Sequence, residues 1–550
     1  MLAVALAVVA AGQGHAQDAA PASAAPAPAA SSVAVELPAG LQDLDAYVET
    51  VRRTFDVPGI AVAVVQDGRI VLERGWGERS IETREPVDAH TMFAIASNTK
   101  AFTAASLSIL ADEGKLELDD RVIEHLPWFR MSDPYITGEM RVRDLLVHRS
   151  GLSLGAGDLL FWPATTYSTE DVARRLAHVP VKGGFRDRYA YDNILYGVAQ
   201  LVIEQASGQP YEQFLRKRIF GPLGMRETRF NSDAIRPGDN VATGHAKADF
   251  KDLRTVPTLT WSNVAGAGGI YSSVHDLTKW MNLQLAGGVI EKGAAGGEGE
   301  GAKRLFSEQR QREMWSMATP IPIPKPPVPE LAPATPGFLG YGEGWNLSDY
   351  RGERLVWHTG GWPGMVSRLT LVPGRKLGVV VLTNQEVGAA FNAVTLRVLD
   401  TMLGAPATDW TAAYEKAVAA QKGKADEDWN KHLAARDASS TPSLPLARYA
   451  GAWRDPWYGD IAIRQGRKGL EIAFSKTAQL VGDLEHWQHD TFIVRWRDRA
   501  LNADAFINFA LDPDGKPVGA TMEAISPLTD FSFDFQDLAL KPVDTGKPSP

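Results

Sequence analysis

Two strand pairs lie at opposite ends of a long helical stretch, and this separation limits the folds open to the chain. The first, Ile60 to Val65 and Arg69 to Glu73, turns at Asp67-Gly68; the second, Arg368 to Val372 and Leu377 to Thr383, turns near Pro373-Gly374. The middle has helical periodicity rather than strands alternating with crossover helices. The spacing therefore predicts an α+β layout in which distant ends of the chain share one antiparallel sheet flanked by helices.

Further along, Trp410 to Arg436 has helical composition, and Ser439 to Pro445 is a Ser, Thr and Pro cluster that marks a linker. Alternating runs follow at Asp460 to Arg464, Leu470 to Phe474, Thr491 to Trp496 and Ala505 to Leu511, with a turn at Asp514-Gly515. They predict a small all-β, barrel-like domain. The expected organisation is a signal peptide over 1–16, an Ala/Pro-rich linker over 17–38, a main domain over 39–405, a helical linker over 406–445 and a β-domain over 446–545.

The leader reading rests on the apolar run Met1 to Ala11 followed by Gly14-His15-Ala16. The run is too short to span a membrane, and it makes the expected location periplasmic or secreted, although the usual basic start is missing. The Gly-rich Gly287 to Gly301 and Pro-rich Pro320 to Pro336 tracts read as surface insertions.

Composition narrows the chemistry. Cysteine is absent, which removes thiolate nucleophiles, disulfides, iron-sulfur clusters and Cys-ligated zinc. The formal charge is -9, without the clustered Lys and Arg that a phosphate backbone requires, so a nucleic-acid partner is not expected. His486 and His489 sit three apart within β-rich surroundings, which spoils the helical spacing that would bring them together on a metal.

Three short motifs remain. Ser97-Asn98-Thr99-Lys100 opens a helical run, so Ser and Lys lie one turn apart on one face, and the positive end of the helix favours negative charge developing on Ser97. A buried Lys there can lose its proton and act as a base. Tyr191-Asp192-Asn193 stands at a loop-to-helix junction, where the phenol can relay a proton. His358-Thr359-Gly360-Gly361 precedes the strand Arg368 to Val372, and the Gly361 amide, with that of Ser97, can form an oxyanion hole. Each has a plainer reading, as a capping Ser with a solvated Lys, a helix cap at Asp192 or Asn193, and a Gly-rich turn.

The set, in this order and each found once, resembles the class C β-lactamase and D,D-peptidase family of penicillin-recognising serine hydrolases. Val142-Arg143-Asp144-Leu145-Leu146, His148, Ser150-Gly151-Leu152 and the run Ala265 to Tyr271 fit the same family. The resemblance implies a sheet flanked by helices plus a helical subdomain, with Ser97 as the acylated nucleophile and Lys100 and Tyr191 managing its proton. It further implies Asn193, His358, Thr359, Gly360 and Gly361 on the substrate and oxyanion side, with no cofactor and no metal. His358 stands where many β-lactamases of the family carry Lys, which counts against strong β-lactamase activity, and the C-terminal domain resembles the lipocalin-like appendage of some family peptidases.

The expected reaction is amide hydrolysis in small peptides, D-amino-acid-containing or cyclic-peptide-derived ones among them. A carboxylesterase or weak β-lactamase with the same machinery, and a non-catalytic peptidoglycan- or peptide-binding protein, are the alternatives. Gly151-Leu152-Ser153-Leu154-Gly155 also matches a nucleophile-elbow pattern, but polar residues precede it and a Gly-rich stretch follows, so the required strand and helix are missing. Trp345, Trp357 and Trp362 are weaker candidates for the walls of a cleft.

Overall fold

The computed structural model describes residues 40–290, 303–467 and 469–543. The leader and its linker, and the later part of the Gly-rich tract, lie outside the described residues. No helix among the described residues is long and apolar enough to cross a membrane.

The hairpin of β1 (Gly59–Gln66) and β2 (Arg69–Gly77) turns at Asp67 and Gly68, both with positive φ, as a tight two-residue turn requires. The sheet continues with β3 (Thr319–Pro320), β4 (Leu339–Tyr341), β5 (Asn346–Tyr350), β6 (Glu353–Trp362), β7 (Met365–Val372) and β8 (Leu377–Thr383). Its order is β2-β1-β8-β7-β6-β5-β4-β3, so β1 pairs antiparallel with β8 and the two distant hairpins form one surface. The Pro-rich tract is not wholly an insertion: Pro320 ends the edge strand β3, and Leu331 packs into the core.

The residues of β1 explain how both faces of the sheet are covered. Ile60, Val62 and Val64 face a layer made by α1 (Leu44–Thr54), α5 (Gly388–Leu403) and the start of α6 (Trp410–Ala435). The intervening Ala61, Ala63 and Val65 face the layer of α2 (Thr99–Asp112), α3 (Ile194–Ser207) and α4 (Val274–Leu285). Alternation thus separates two cores, with small residues where α4 packs close to the strand.

The second sheet contains β9 (Gly451–Asp455), β10 (Gly459–Gln465), β11 (Leu470–Phe474), β12 (Val481–Gln488), β13 (Thr491–Trp496), β14 (Ala505–Leu511), β15 (Pro517–Ala524) and β16 (Lys541–Pro542). All its pairs are antiparallel. β16 joins β9, and Ala520 of β15 exchanges backbone hydrogen bonds with Leu540 beside β16, which nearly closes the sheet into a barrel. His486 lies on β12, where its ring bonds the carbonyl of His489. The interior of this sheet, Trp453, Ile461 and Phe509 among others, belongs to the same continuous core as α2 and α3.

Helix α6 bridges the two sheets. Trp410, Ala413 and Ala417 are buried at its start, and near its end Trp429 packs on Trp487 of β12 with ring centroids 5.4 Å apart. Asp400, 1% exposed, locks the first of these contacts. It accepts hydrogen bonds from the Tyr350 hydroxyl at 2.5 Å, Trp410 Nε1 at 2.8 Å and Arg351 Nε at 3.3 Å. Asp400→Ala leaves the buried Tyr350 and Trp410 donors without an acceptor and is expected to cost about 3 kcal/mol in urea denaturation; a loss below about 1 kcal/mol would show that the network contributes little.

Candidate active site

Ser97 lies in a single 3-10 turn, Ala96–Asn98, that feeds directly into α2. Ala96 has φ +46, a left-handed backbone that only a well-determined surrounding maintains for a non-glycine residue. That surrounding is β7. Ser367 Oγ donates to the Ile95 carbonyl at 2.8 Å, and Asn98 Nδ2 donates to Ser367 Oγ at 2.8 Å.

Lys100 follows one turn later and is fully buried. Its Nζ donates to Ser97 Oγ at 3.0 Å, Asn193 Oδ1 at 2.8 Å and the Ala267 carbonyl at 3.0 Å. Burial pushes its pKa down to about 7, against the opposing pull of Asp158 and Asp192. The amine is therefore neutral in a large fraction of molecules near neutrality. Neither Ser97 nor Asn193 caps a helix through its side chain.

Tyr191 precedes α3, and its ring centroid is 4.8 Å from Lys100 Nζ. Burial holds the phenol well above its ordinary value near 10, partly offset by a hydrogen bond with Ser97, so it is a protonated group that can donate. The loop carrying it is anchored by His148, whose backbone carbonyl accepts the Ala190 amide at 3.0 Å and whose Nδ1 accepts the Asp192 amide at 3.2 Å. Asp144, fully buried, ties the same loop down by pairing with Arg186 at 2.5 Å and Arg149 at 3.3 Å.

β6 supplies the opposite wall. Its first half pairs with β5 and β7, but from His358 to Trp362 it pairs with β7 alone, leaving an open edge toward the nucleophile turn. His358 is 2% exposed, and burial together with the nearby Lys100 pushes its pKa down to about 3. Its Nδ1 donates to the Thr359 carbonyl at 2.6 Å, and its Nε2 accepts from the Tyr341 hydroxyl at 2.8 Å. The imidazole is neutral throughout the physiological range.

A cavity of about 350 Å³ is lined by Ser97, Tyr191, Asn193, His358, Thr359 and Gly361, and Gly360 between the last two packs on the Ile95 carbonyl and Ala96 beside Ser97. The structure thus brings every sequence-predicted site residue to one place. Aromatic rings of Phe161, Trp162, Trp261 and Trp357 complete much of the wall; of the three tryptophans singled out from sequence, Trp357 lines this cavity, Trp362 an adjoining one, and Trp345 belongs to the core. Ser153 stands in no strand-turn-helix context.

Sequence reasoning missed Asp158, whose carboxyl accepts from Asn193 Nδ2 at 2.8 Å, and Asp530, Phe531 and Ser532, which reach the cavity from the C-terminal sheet. Lone residues in loops carry no periodic or motif signal. The Ala267 carbonyl belongs to the Gly-rich run Ala265 to Tyr271, but a carbonyl's partner is invisible in sequence.

The two glycines of β6 differ in kind. A Cβ on Gly360 would lie 2.2 Å from the Ile95 carbonyl oxygen and 3.0 Å from Ala96 Cβ, whereas one on Gly361 meets nothing within 4 Å. Gly360→Ala is accordingly expected to destabilise the protein by about 2 kcal/mol and Gly361→Ala by under about 0.5 kcal/mol in urea denaturation. Equal effects would contradict this packing.

Comparison with known proteins bears on the fold and the family. Residues 44–401 match the family model for Beta-lactamase, and residues 435–542 match a domain of unknown function, DUF3471. The unguisins hydrolase ungD of Aspergillus violaceofuscus (strain CBS 115571) is 29% identical over 507 residues, which are 86% of this chain and 86% of that protein. The octameric penicillin-binding protein homologue from Pyrococcus abyssi superposes with a TM-score of 0.56 at 21% identity, covering 91% of this chain and 100% of that one. The D-amino acid amidase from Ochrobactrum anthropi SV3 does so with a TM-score of 0.52 at 23% identity, over 66% and 98%. These two structural likenesses establish the fold, and the family match, running from the first helix of the sheet's outer layer almost to the end of α5, establishes that the chain belongs to the Beta-lactamase family.

Proposed function

We propose that the protein hydrolyses amide bonds of small peptides through an acyl-enzyme on Ser97. The observation that carries this reading is the fully buried Lys100 amine, 3.0 Å from the Ser97 hydroxyl and brought to a pKa of about 7. A group of that kind can take a proton at the pH where it works, and a hydroxyl next to such a base is a nucleophile.

In this mechanism neutral Lys100 accepts the Ser97 proton as Oγ bonds to the substrate carbonyl carbon. The Ser97 and Gly361 amides stabilise the oxyanion. Collapse breaks the C–N bond, and the proton passes from Lys100 through the Tyr191 phenol to the leaving amine. Water then adds to the ester and loses its proton by the same route, releasing the acid and regenerating the Ser97 hydroxyl. Because Tyr191 holds its proton strongly, it acts here as a relay rather than as the initiating base.

The walls support this choice of substrate class. No Lys or Arg lines the catalytic cavity among the described residues, and the residue facing Tyr341 is a neutral imidazole, so a substrate carboxylate finds no counter-ion there. Aromatic rings and the single acid Asp530 suit neutral or cationic peptide segments. An adjoining cavity of about 560 Å³ shares Trp162, Gly361 and Asp530 with the first and gives room for residues beyond the scissile bond. The relative named for hydrolysing unguisins supports hydrolysis without identifying the substrate. The apolar N-terminal run supports action in the periplasm or outside the cell.

A fluorophosphonate probe is expected to label the protein covalently, with labelling lost in Ser97→Ala and kept in Ser153→Ala; persistence in Ser97→Ala would remove the nucleophile assignment. Since the active form of Lys100 is unprotonated, kcat/KM should rise with pH through a midpoint near 7. A flat profile through that region would exclude Lys100 as the base. Peptides amidated at the C-terminus should be cleaved at least about tenfold better than the same peptides with a free carboxylate beside the scissile bond, and the reverse order would contradict the proposed lack of a counter-ion.

A further inference from the structure

The loop between β15 and β16 enters the catalytic cavity from the C-terminal sheet. The Phe531 ring meets that of Tyr191 edge-on with centroids 6.0 Å apart. It rests on Gly155, where a Cβ would lie 2.8 Å from the ring, so that glycine leaves room for the loop. Asp534 Oδ2 accepts the Gly157 amide at 2.6 Å. Gly155, the last residue of the elbow-like stretch, and Gly157 just beyond it thus serve to dock this loop.

Between these contacts lies Ser532, 3% exposed. Its Oγ donates at 2.7 Å to Asp158 Oδ2, the same oxygen that accepts Asn193 Nδ2 at 2.8 Å, and Asn193 Oδ1 accepts Lys100 Nζ at 2.8 Å. The chain of bonds has one consistent polarity. The Asn193 amide must turn its NH2 toward the carboxyl and its oxygen toward the amine, because the opposite orientation would face donor to donor and acceptor to acceptor. Asp158 sets that orientation, and it is itself fully buried, with Oδ1 lacking a partner among the described residues. Among the described residues Ser532 is the second of two side chains that hold it.

We propose that Ser532 is a positioning residue for Lys100, acting through Asp158 and Asn193, so that the C-terminal sheet is part of the hydrolytic machinery. The inference rests on the acyl-enzyme reading above.

It has an electrostatic consequence. Burial raises the Asp158 carboxyl well above its ordinary range, the Ser532 and Asn193 hydrogen bonds oppose that rise by favouring the ionised form, and the charge so retained raises the pKa of Lys100. The other titratable groups facing this pair are Asp192, Tyr191, Tyr196, His148 and His358 around Lys100, and Asp530 and Asp534 around Asp158. Removing the hydroxyl weakens the charge on Asp158, so Lys100 should lose its proton at lower pH while being held less accurately.

The test uses the full chain and single-turnover fluorophosphonate labelling as a function of pH. Ser532→Ala is expected to lower the plateau rate about tenfold and to move the acid-side midpoint down, and Ser532→Thr, which keeps the hydroxyl, to restore both. Wild-type rate and midpoint in Ser532→Ala would overturn the proposal. So would a slower rate with an unmoved midpoint that Ser532→Thr does not restore, which is the pattern of a merely structural role. If the alanine variant does not fold, Ser532→Cys, a weak donor of similar volume, carries the same test. Absence of Ser97-dependent labelling in the wild type would instead refute the acyl-enzyme reading, and is seen before any Ser532 variant is compared.

Discussion

Burial of one ammonium group organises this molecule. An amine on a surface stays protonated and is a poor base, whereas Lys100, enclosed by α2, α3 and the Gly-rich turn before α4, is brought to a pKa of about 7. Such a site is costly unless every proton of the amine has an acceptor. Ser97, Asn193 and the Ala267 carbonyl supply three, one from each of three separate segments. The arrangement of those segments is therefore tied to the position of the amine.

The sheet holds the other half of the geometry. β7 ties down the Ile95 carbonyl and Asn98, which maintains the left-handed Ala96 and aims Ser97 at the open edge of β6. Gly360 lets strand and turn approach to a distance no side chain would permit. The neutral His358 on that strand is the clearest departure from a site built to hold an anion: its ring nitrogens are satisfied by the Thr359 carbonyl and the Tyr341 hydroxyl, and it contributes shape and a hydrogen-bonded wall rather than charge.

The C-terminal sheet shares a continuous core with α2 and α3 and sends Phe531 and Ser532 to the catalytic cavity. Tryptophans at both ends of α6 fix that helix to the two sheets, while its middle is exposed. A helix with few buried residues suits a bridge of this kind.

Much of this was legible in the sequence because it is written in local pattern. The apolar run of β1, the Asp67-Gly68 turn and the extents of strands such as Leu470–Phe474 and Thr491–Trp496 follow from side-chain period and turn chemistry. The Ser97 and Lys100 pair was legible because three residues along a helix is nearly one turn. What only the tertiary structure decided are contacts between segments whose patterns are independent: Ser532 on Asp158 at a separation of 374 residues, Phe531 on Tyr191, and Asp158 on Asn193. A lone Ser or Asp in a loop has no period, and its partner is chosen by how two surfaces dock, a long-range outcome of packing that no short window of residues contains.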